Sequence, residues 1–208
     1  MKDVAIEESL VKTLKESDFS KLSNDISGVI LDEIAKSIPV IGTIQSLSKI
    51  HLNIKDFIFA KKLLKFLASF SDISSEKRIK LIKKLEDDDN FQQKVGEYII
   101  IILDRLDDLQ KPVLVAKAFR AYLENKIDGI QLQRINYGID KVLMCNLQEL
   151  KRYYSIDSPR NLSHDILEPM VFQNFASCGF INLTTGWCSS VGAAKNELGE
   201  LFVKTILC

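Results

Sequence analysis

The stretch from Lys36 to Lys49, KSIPVIGTIQSLSK, decides the fold. It is apolar and β-branched, and it holds Pro39 and Gly42 three positions apart. Two kinds of protein carry such a stretch: a helical bundle that buries it as a corner, and a membrane-active protein that presents it as a tip. Twelve residues lie between the two lysines. As helix they reach about 18 Å, against about 30 Å of bilayer hydrocarbon. They also include Ser37, Thr43, Gln45, Ser46 and Ser48. Spanning is therefore excluded on length. Two readings remain. The first is a buried helix–turn–helix corner shaped by Pro39 and Gly42. The second is an amphipathic element on a membrane surface, with Val40, Ile41 and Ile44 in contact and lysines at the headgroups. The buried corner is the one adopted.

Outward from the corner, almost everything up to Ser155 reads as helix, because apolar residues recur at steps of three and four. "DISGVILDEIAKSI" carries Ile26, Val29, Ile30 and Ile34 on one face, and Pro39 stops that helix. A second helix starts near Thr43. "NIKDFIFAKKLLKFLASF" follows with a broad face of Ile54, Phe57, Ile58, Leu64 and Leu67. Ser74 or Ser75 caps "EKRIKLIKKLE". "FQQKVGEYIIIILDRLDDL" is apolar nearly all round, the mark of a central helix. Pro112 suits the first turn of "KPVLVAKAFRAYLEN", Asp128-Gly129 signals a turn, and "IQLQRINYGIDKVLMCNLQELKRYY" reads as one long closing helix. Short loops favour antiparallel neighbours in a bundle.

The composition changes at "SIDSPRNLS", Ser155 to Ser163, a polar stretch with a proline that serves as a linker. Beyond it come a helix ending at Gly179, a strand "FINLT", a turn, a return strand and a last helix from Asn196. The pattern "SCGFI…NELGELF" resembles the end of a winged helix. The predicted fold is mainly α: a multi-helix bundle over 1–155 and a small winged-helix-like α+β module over 156–208.

Bulk properties narrow the function. The chain has 208 residues, 46% of them hydrophobic, with 28 basic and 28 acidic side chains. No global field favours nucleic acid or an anionic membrane. The start lacks the apolar core of a signal peptide, which predicts residence in the cytoplasm. The cysteines Cys145, Cys178, Cys188 and Cys208 form no CxxC pair, and His51 and His164 are the only histidines. A structural zinc site is disfavoured, and no cofactor is expected.

Catalytic patterns are weak. "LDRLDDL" sets Asp104, Asp107 and Asp108 at helical spacing on one face, where they read as a solvated acidic cluster. "SHDI" places Ser163, His164 and Asp165 side by side, but sequence neighbours point different ways and Ser163 or Asp165 suits a helix N-cap. Neither a GxSxG elbow nor a phosphate-binding glycine loop occurs. An enzyme is not expected.

Contact surfaces are better marked. From Lys55 to Lys84 there are nine basic residues against three acidic ones. Lys61, Lys62, Lys65, Arg78 and Lys84 are the exposed basic face expected of that region. Trp187, the only tryptophan, sits at the presumed wing tip and is a hot-spot candidate. From Asn161 to Ala194 there is no Lys or Arg. DNA affinity rests on phosphate neutralisation, so nucleic acid is disfavoured and the tail suits protein contact. The "PVIG" turn at Pro39 to Gly42, the "FAKKLLKFL" helix from Phe59 to Leu67 and the "GFI…LG" tail from Gly179 to Gly199 resemble helical proteins of the Abi-alpha, abortive-infection and prophage type. The resemblance implies a role in phage–host conflict and no particular chemistry. The expected function is a non-enzymatic interaction module that meets a partner protein or its own copies. A membrane-active effector using 36–65 and a winged-helix DNA-binding regulator are the alternatives.

Overall fold

The computed structural model describes residues 2–19, 22, 38–47, 54–89, 91, 94–156, 168–185 and 191–207. The helix expected over 26–36 lies outside them, as do His51, Ser163, His164, Asp165, Trp187, Cys188 and Cys208. In chain order the helices are α1 (Lys2–Glu16), α2 (Pro39–Leu47), α3 (Ile54–Ala68), α4 (Ser75–Glu86), α5 (Val95–Arg105), α6 (Lys111–Leu123), α7 (Gly129–Lys141), α8 (Leu147–Ser155), α9 (Pro169–Ser177) and α10 (Glu197–Phe202). A 3-10 turn, Met144–Asn146, precedes α8, and a π-helical turn, Val203–Leu207, continues α10. Strands β1 (Ile181–Thr185) and β2 (Val191–Lys195) pair antiparallel, with Ile181 opposite Lys195 and Thr185 opposite Val191. The protein is thus mainly helical with one small hairpin near its end.

Val40, Ile41 and Ile44 are buried in the common core with Leu10, Leu14 and Phe19. The membrane contact considered for them is corrected accordingly: the corner faces inward. Pro39 also has a different role from the one predicted. It opens α2 instead of merely ending the helix before it, so α2 begins four residues earlier than Thr43. Proline has no N–H to leave orphaned in a first turn. The next amide, Val40 N, donates to Thr13 Oγ1 of α1 at 3.1 Å, and Thr13 in turn donates to Ser9 O at 2.7 Å. A fully buried threonine from another helix therefore supplies the cap that Ile38 cannot.

The central helix is α6, not α5. Leu114, Val115, Ala116, Ala118, Phe119, Ala121 and Tyr122 are all buried, and α6 packs on α3, α4, α7 and the C-terminal π turn. The small residues on α6 let neighbours approach from several sides. In α5, by contrast, Ile101 is exposed and Ile100 and Ile102 only partly covered. The broad apolar face expected on α3 is also narrower. Leu64 and Leu67 are buried, but Ile54, Phe57 and Ile58 are exposed.

Local start signals behave as read. Ser74 caps α4 by accepting from Lys77 N, and Asp128 and Gln131 form a reciprocal capping box on α7. The long closing helix does not survive. Val142 and Leu143 are extended, and the chain re-enters helix through the 3-10 turn. Asn174 of α9 takes the backbone groups freed there: its Nδ2 donates to Lys141 O at 3.0 Å and its Oδ1 accepts from Leu143 N at 3.1 Å. The break is stabilised by a residue from the tail.

The tail has the helix–hairpin–helix order read from sequence. Gly179, at φ +75°, ends α9 in the left-handed region, with Phe180 N bonded to Phe175 O. Asn196 caps α10 through Gly199 N at 2.8 Å. Phe180 stacks on Phe202 with ring centroids 4.2 Å apart and packs against Gly138 of α7. Tyr154 of α8 donates to Phe180 O at 2.6 Å and accepts from Asn196 N at 3.1 Å. Phe175, Phe180, Phe202 and Ile206 belong to the same core as Phe119 and Ile135.

Candidate functional site

The basic residues expected to form a contact face point elsewhere. Lys62 and Arg78 are buried, at 7% and 5% exposure, and Lys84 is half-buried. Each ends on backbone carbonyls at the C-terminus of another helix. Lys62 Nζ donates to Asp104 O of α5 at 3.0 Å. Arg78 donates to Leu14 O at 2.8 Å, Ser17 O at 2.6 Å and Ile73 O at 2.9 Å, so it closes α1. Its guanidinium also lies 4.4 Å from the Phe19 ring centroid. Lys84 donates to Tyr122 O of α6 and, at 2.9 Å, to Asn125 Oδ1. Lys61 and Lys65 remain partly exposed, Lys61 over the Phe57 ring at 4.5 Å. The five do not make one solvated face.

The same arrangement recurs. Lys111, only 1% exposed, donates to Asp140 O of α7 at 2.8 Å. Arg120 reaches Ser69 O beyond α3 at 3.1 Å and holds Asp72 with two bonds of 2.8 and 2.7 Å. Lys117 closes the π turn at Ile206 O, at 2.9 Å, and Lys195 closes α8 at Tyr154 O, at 3.0 Å. A helix C-terminus carries unpaired carbonyls and partial negative charge, and a cation there meets both. Burial lowers the Lys62 and Lys84 pKa, while Asp104 and Asp107 beside Lys62, and Asp88 beside Lys84, oppose the shift.

The acidic cluster is likewise dispersed. α5 ends at Arg105 and Leu106 turns extended, driven by burial of its side chain. Asp107 and Asp108 therefore leave the helical face that Asp104 occupies. Asp107 pairs with Lys111 at 2.6 Å, and Asp108 accepts from Gln110 N at 2.6 Å. Burial opposes ionisation of Asp107, but Lys111 outweighs it and holds the carboxyl below its usual range. Among the described residues no group of three or more His, Cys, Asp or Glu side chains is placed to hold a metal.

Among the described residues a candidate site is a cleft of about 160 Å³ between α5 and α7. Tyr98, Ile102 and Arg105 line it from α5, and Asn136, Tyr137 and Asp140 from α7. Arg105 and Asp140 form an ion pair of 2.6 Å at the rim, with Lys141 also 3.1 Å from the same carboxylate oxygen. Tyr98 is wedged edge-on against Phe91, centroids 5.0 Å apart. Burial raises its pKa, partly offset by a 3.2 Å bond from Asn136 Nδ2 to its hydroxyl. Asn136 is 3% exposed, and its Oδ1 has no hydrogen-bond partner. Ile101 of α5 and Ile130 of α7 are exposed on the same two helices, as is Tyr137, which lines the cleft. A larger, shallower cleft of about 490 Å³ involves Lys84, Asp88, Tyr122 and Asp128. There Tyr122 donates to Asp88 Oδ2 at 2.7 Å, Lys84 closes α6, and Asp128 caps α7.

No protein-family model, no curated protein and no solved structure matches the chain. The cleft was not legible in the sequence as a site. Tyr98 sits in an apolar run and Asn136 in an amphipathic helix, 38 positions apart. Only Asn136, a polar residue one step from the apolar Ile135, offered a signal.

Proposed function

We propose that the chain is a non-enzymatic interaction module that meets a partner protein, or a second copy of itself, through the α5–α7 face. One observation carries the reading: Ile101, Ile130 and Tyr137 stand exposed on α5 and α7, the two helices that form the cleft. Scattered apolar side chains need no explanation, but exposed apolar side chains on two adjacent helices that share a cleft fit a contact surface. Trp187, the only tryptophan in the sequence, is a second contact in this proposal. The outward side of α9, with Met170 and Gln173 exposed and no Lys or Arg from Asn161 to Ala194, suits protein better than DNA. Among the described residues no helix is long and apolar enough to cross a membrane. The setting proposed is the cytoplasm, in phage defence or a prophage locus as the resemblance implies.

The test compares the full chain with an Ile101→Glu/Ile130→Glu variant, both of which place new charge on exposed positions and leave the core intact. Sedimentation of the chain alone reports self-association, and affinity capture from the native host reports a partner. The variant should lose the self-associated species or a defined captured protein that the parent retains. Identical sedimentation and an identical captured set would remove this face from the function.

A further inference from the structure

We propose that the α5–α7 cleft is a binding site for a single-ring cyclic amide of the pyrimidine-base type. Size sets the first limit. The cleft holds about 160 Å³, close to the roughly 150 Å³ of an engineered cavity that takes one benzene ring. Chemistry sets the second. Among the described residues Asn136 Oδ1 is the only buried side-chain nitrogen or oxygen without a hydrogen-bond partner. Native proteins rarely leave such an atom unpaired unless a ligand or water meets it. Beside it, Tyr98 accepts the carboxamide N–H at 3.2 Å and so keeps its own O–H to give. The floor thus presents one acceptor and one donor next to each other. A cyclic amide presents the complement on one edge, a ring N–H beside a C=O. Turning the carboxamide by half a turn exchanges the two roles and leaves the same paired edge, so the inference does not depend on which amide atom is which.

The remaining walls suit a flat ring. Ile102 is an apolar side, and the exposed Tyr137 offers an aromatic face. Asn136 Oδ1 is screened from solvent, so a ring that reaches it must displace part of the cleft wall. The Arg105–Asp140 pair stands at the rim. Arg105 is half exposed, so a phosphate carried on the ring's substituent would meet it there. Free base and nucleotide share the ring chemistry and differ at Arg105. Ring binding is read on the isolated chain, with no partner present.

The experiment is a titration of the full, isotope-labelled chain with uracil, uridine 5′-monophosphate and benzene, read by amide chemical shifts. Uracil should produce saturable shifts at Tyr98, Asn136 and Tyr137, and benzene should bind at least tenfold more weakly. Tighter binding of the nucleotide, lost on Arg105→Gln, identifies a nucleotide site, and equal binding identifies the base. Asn136→Leu should weaken uracil at least tenfold. Should that variant fail to fold, Asn136→Asp keeps the shape and should weaken uracil and change its pH dependence. The Ile101→Glu/Ile130→Glu variant, whose changes lie outside the residues that line the cleft, should bind uracil as the parent does, which separates failure of this site from failure of the contact face. Absence of saturable shifts with both uracil and the nucleotide, equal binding of benzene, or full binding by both Asn136 variants would each overturn the proposal.

Discussion

Gly199 shows what a single atom decides. A methyl group there would run into Phe180 O and the Tyr154 hydroxyl, both fixed by hydrogen bonds. Gly199→Ala should therefore destabilise the fold by about 1–3 kcal/mol, although alanine is the better helix former. Urea unfolding measures it, and a stabilised variant would contradict the packing. Cys178 is a second case. Burial pushes its thiol up from about 9 to about 11, so between those values the unfolded chain releases a proton that the folded chain keeps. Stability owed to this thiol is intact below pH 9 and declines as pH rises toward 11. Between pH 9 and 11 the parent should lose about 1–2 kcal/mol more than Cys178→Ala, read as a larger fall in the urea midpoint. At this scale much was legible. Ser74, Pro112, Asp128 and Asn196 act on backbone groups within a few positions, so their spacing alone announces them. Asn136, Thr13 and Lys111 act on groups 27 to 38 positions away, and nothing beside them in the chain says so.

At the scale of the element, helix ends mattered more than helix faces. The Lys-rich stretch from 55 to 84 reads as a solvated face because composition reports how many cations there are, not where they point. Lys62 and Arg78 turn inward to carbonyls 42 and 64 positions away. Arg78→Lys should cost about 2 kcal/mol or more, since an ammonium cannot reproduce a guanidinium's three separated bonds and charged bonds are the strong ones. Urea midpoints check it, and an unchanged midpoint would show that charge alone suffices. Thr13→Val should cost about 1–2 kcal/mol by leaving Val40 N uncapped in the interior. Amide exchange should rise first in α2, and protection there equal to the parent's would deny Thr13 its capping role. The breaks at Leu106 and at Val142–Leu143 were illegible for a related reason. All three residues continue the helical apolar pattern, and only packing against distant segments makes extended backbone the better choice.

For the whole molecule, the class was legible: periodicity and the rarity of strict alternation before Ser155 gave a helical bundle, and glycine and asparagine signals gave the final hairpin and helix. The order of burial was not, because apolar content alone put α5 at the centre, whereas the alanines of α6 allow more neighbours. The tail is bound to the bundle through Lys117 to Ile206 O, Asn174 to Lys141 O and the Phe180–Gly138 contact. Deleting residues 168–208 should expose α6 and leave a chain that aggregates or loses most of its near-ultraviolet circular dichroism. A monomeric, cooperative fragment would contradict this. The clasps at helix ends are also linked. α4 closes α6 and α1; α6 closes α3, α7 and the C-terminal turn; α3 closes α5. α6 in turn closes α4, its Tyr122 hydroxyl donating to Lys84 O at 3.0 Å, so these two helices hold each other's ends and the remaining clasps hang from that pair.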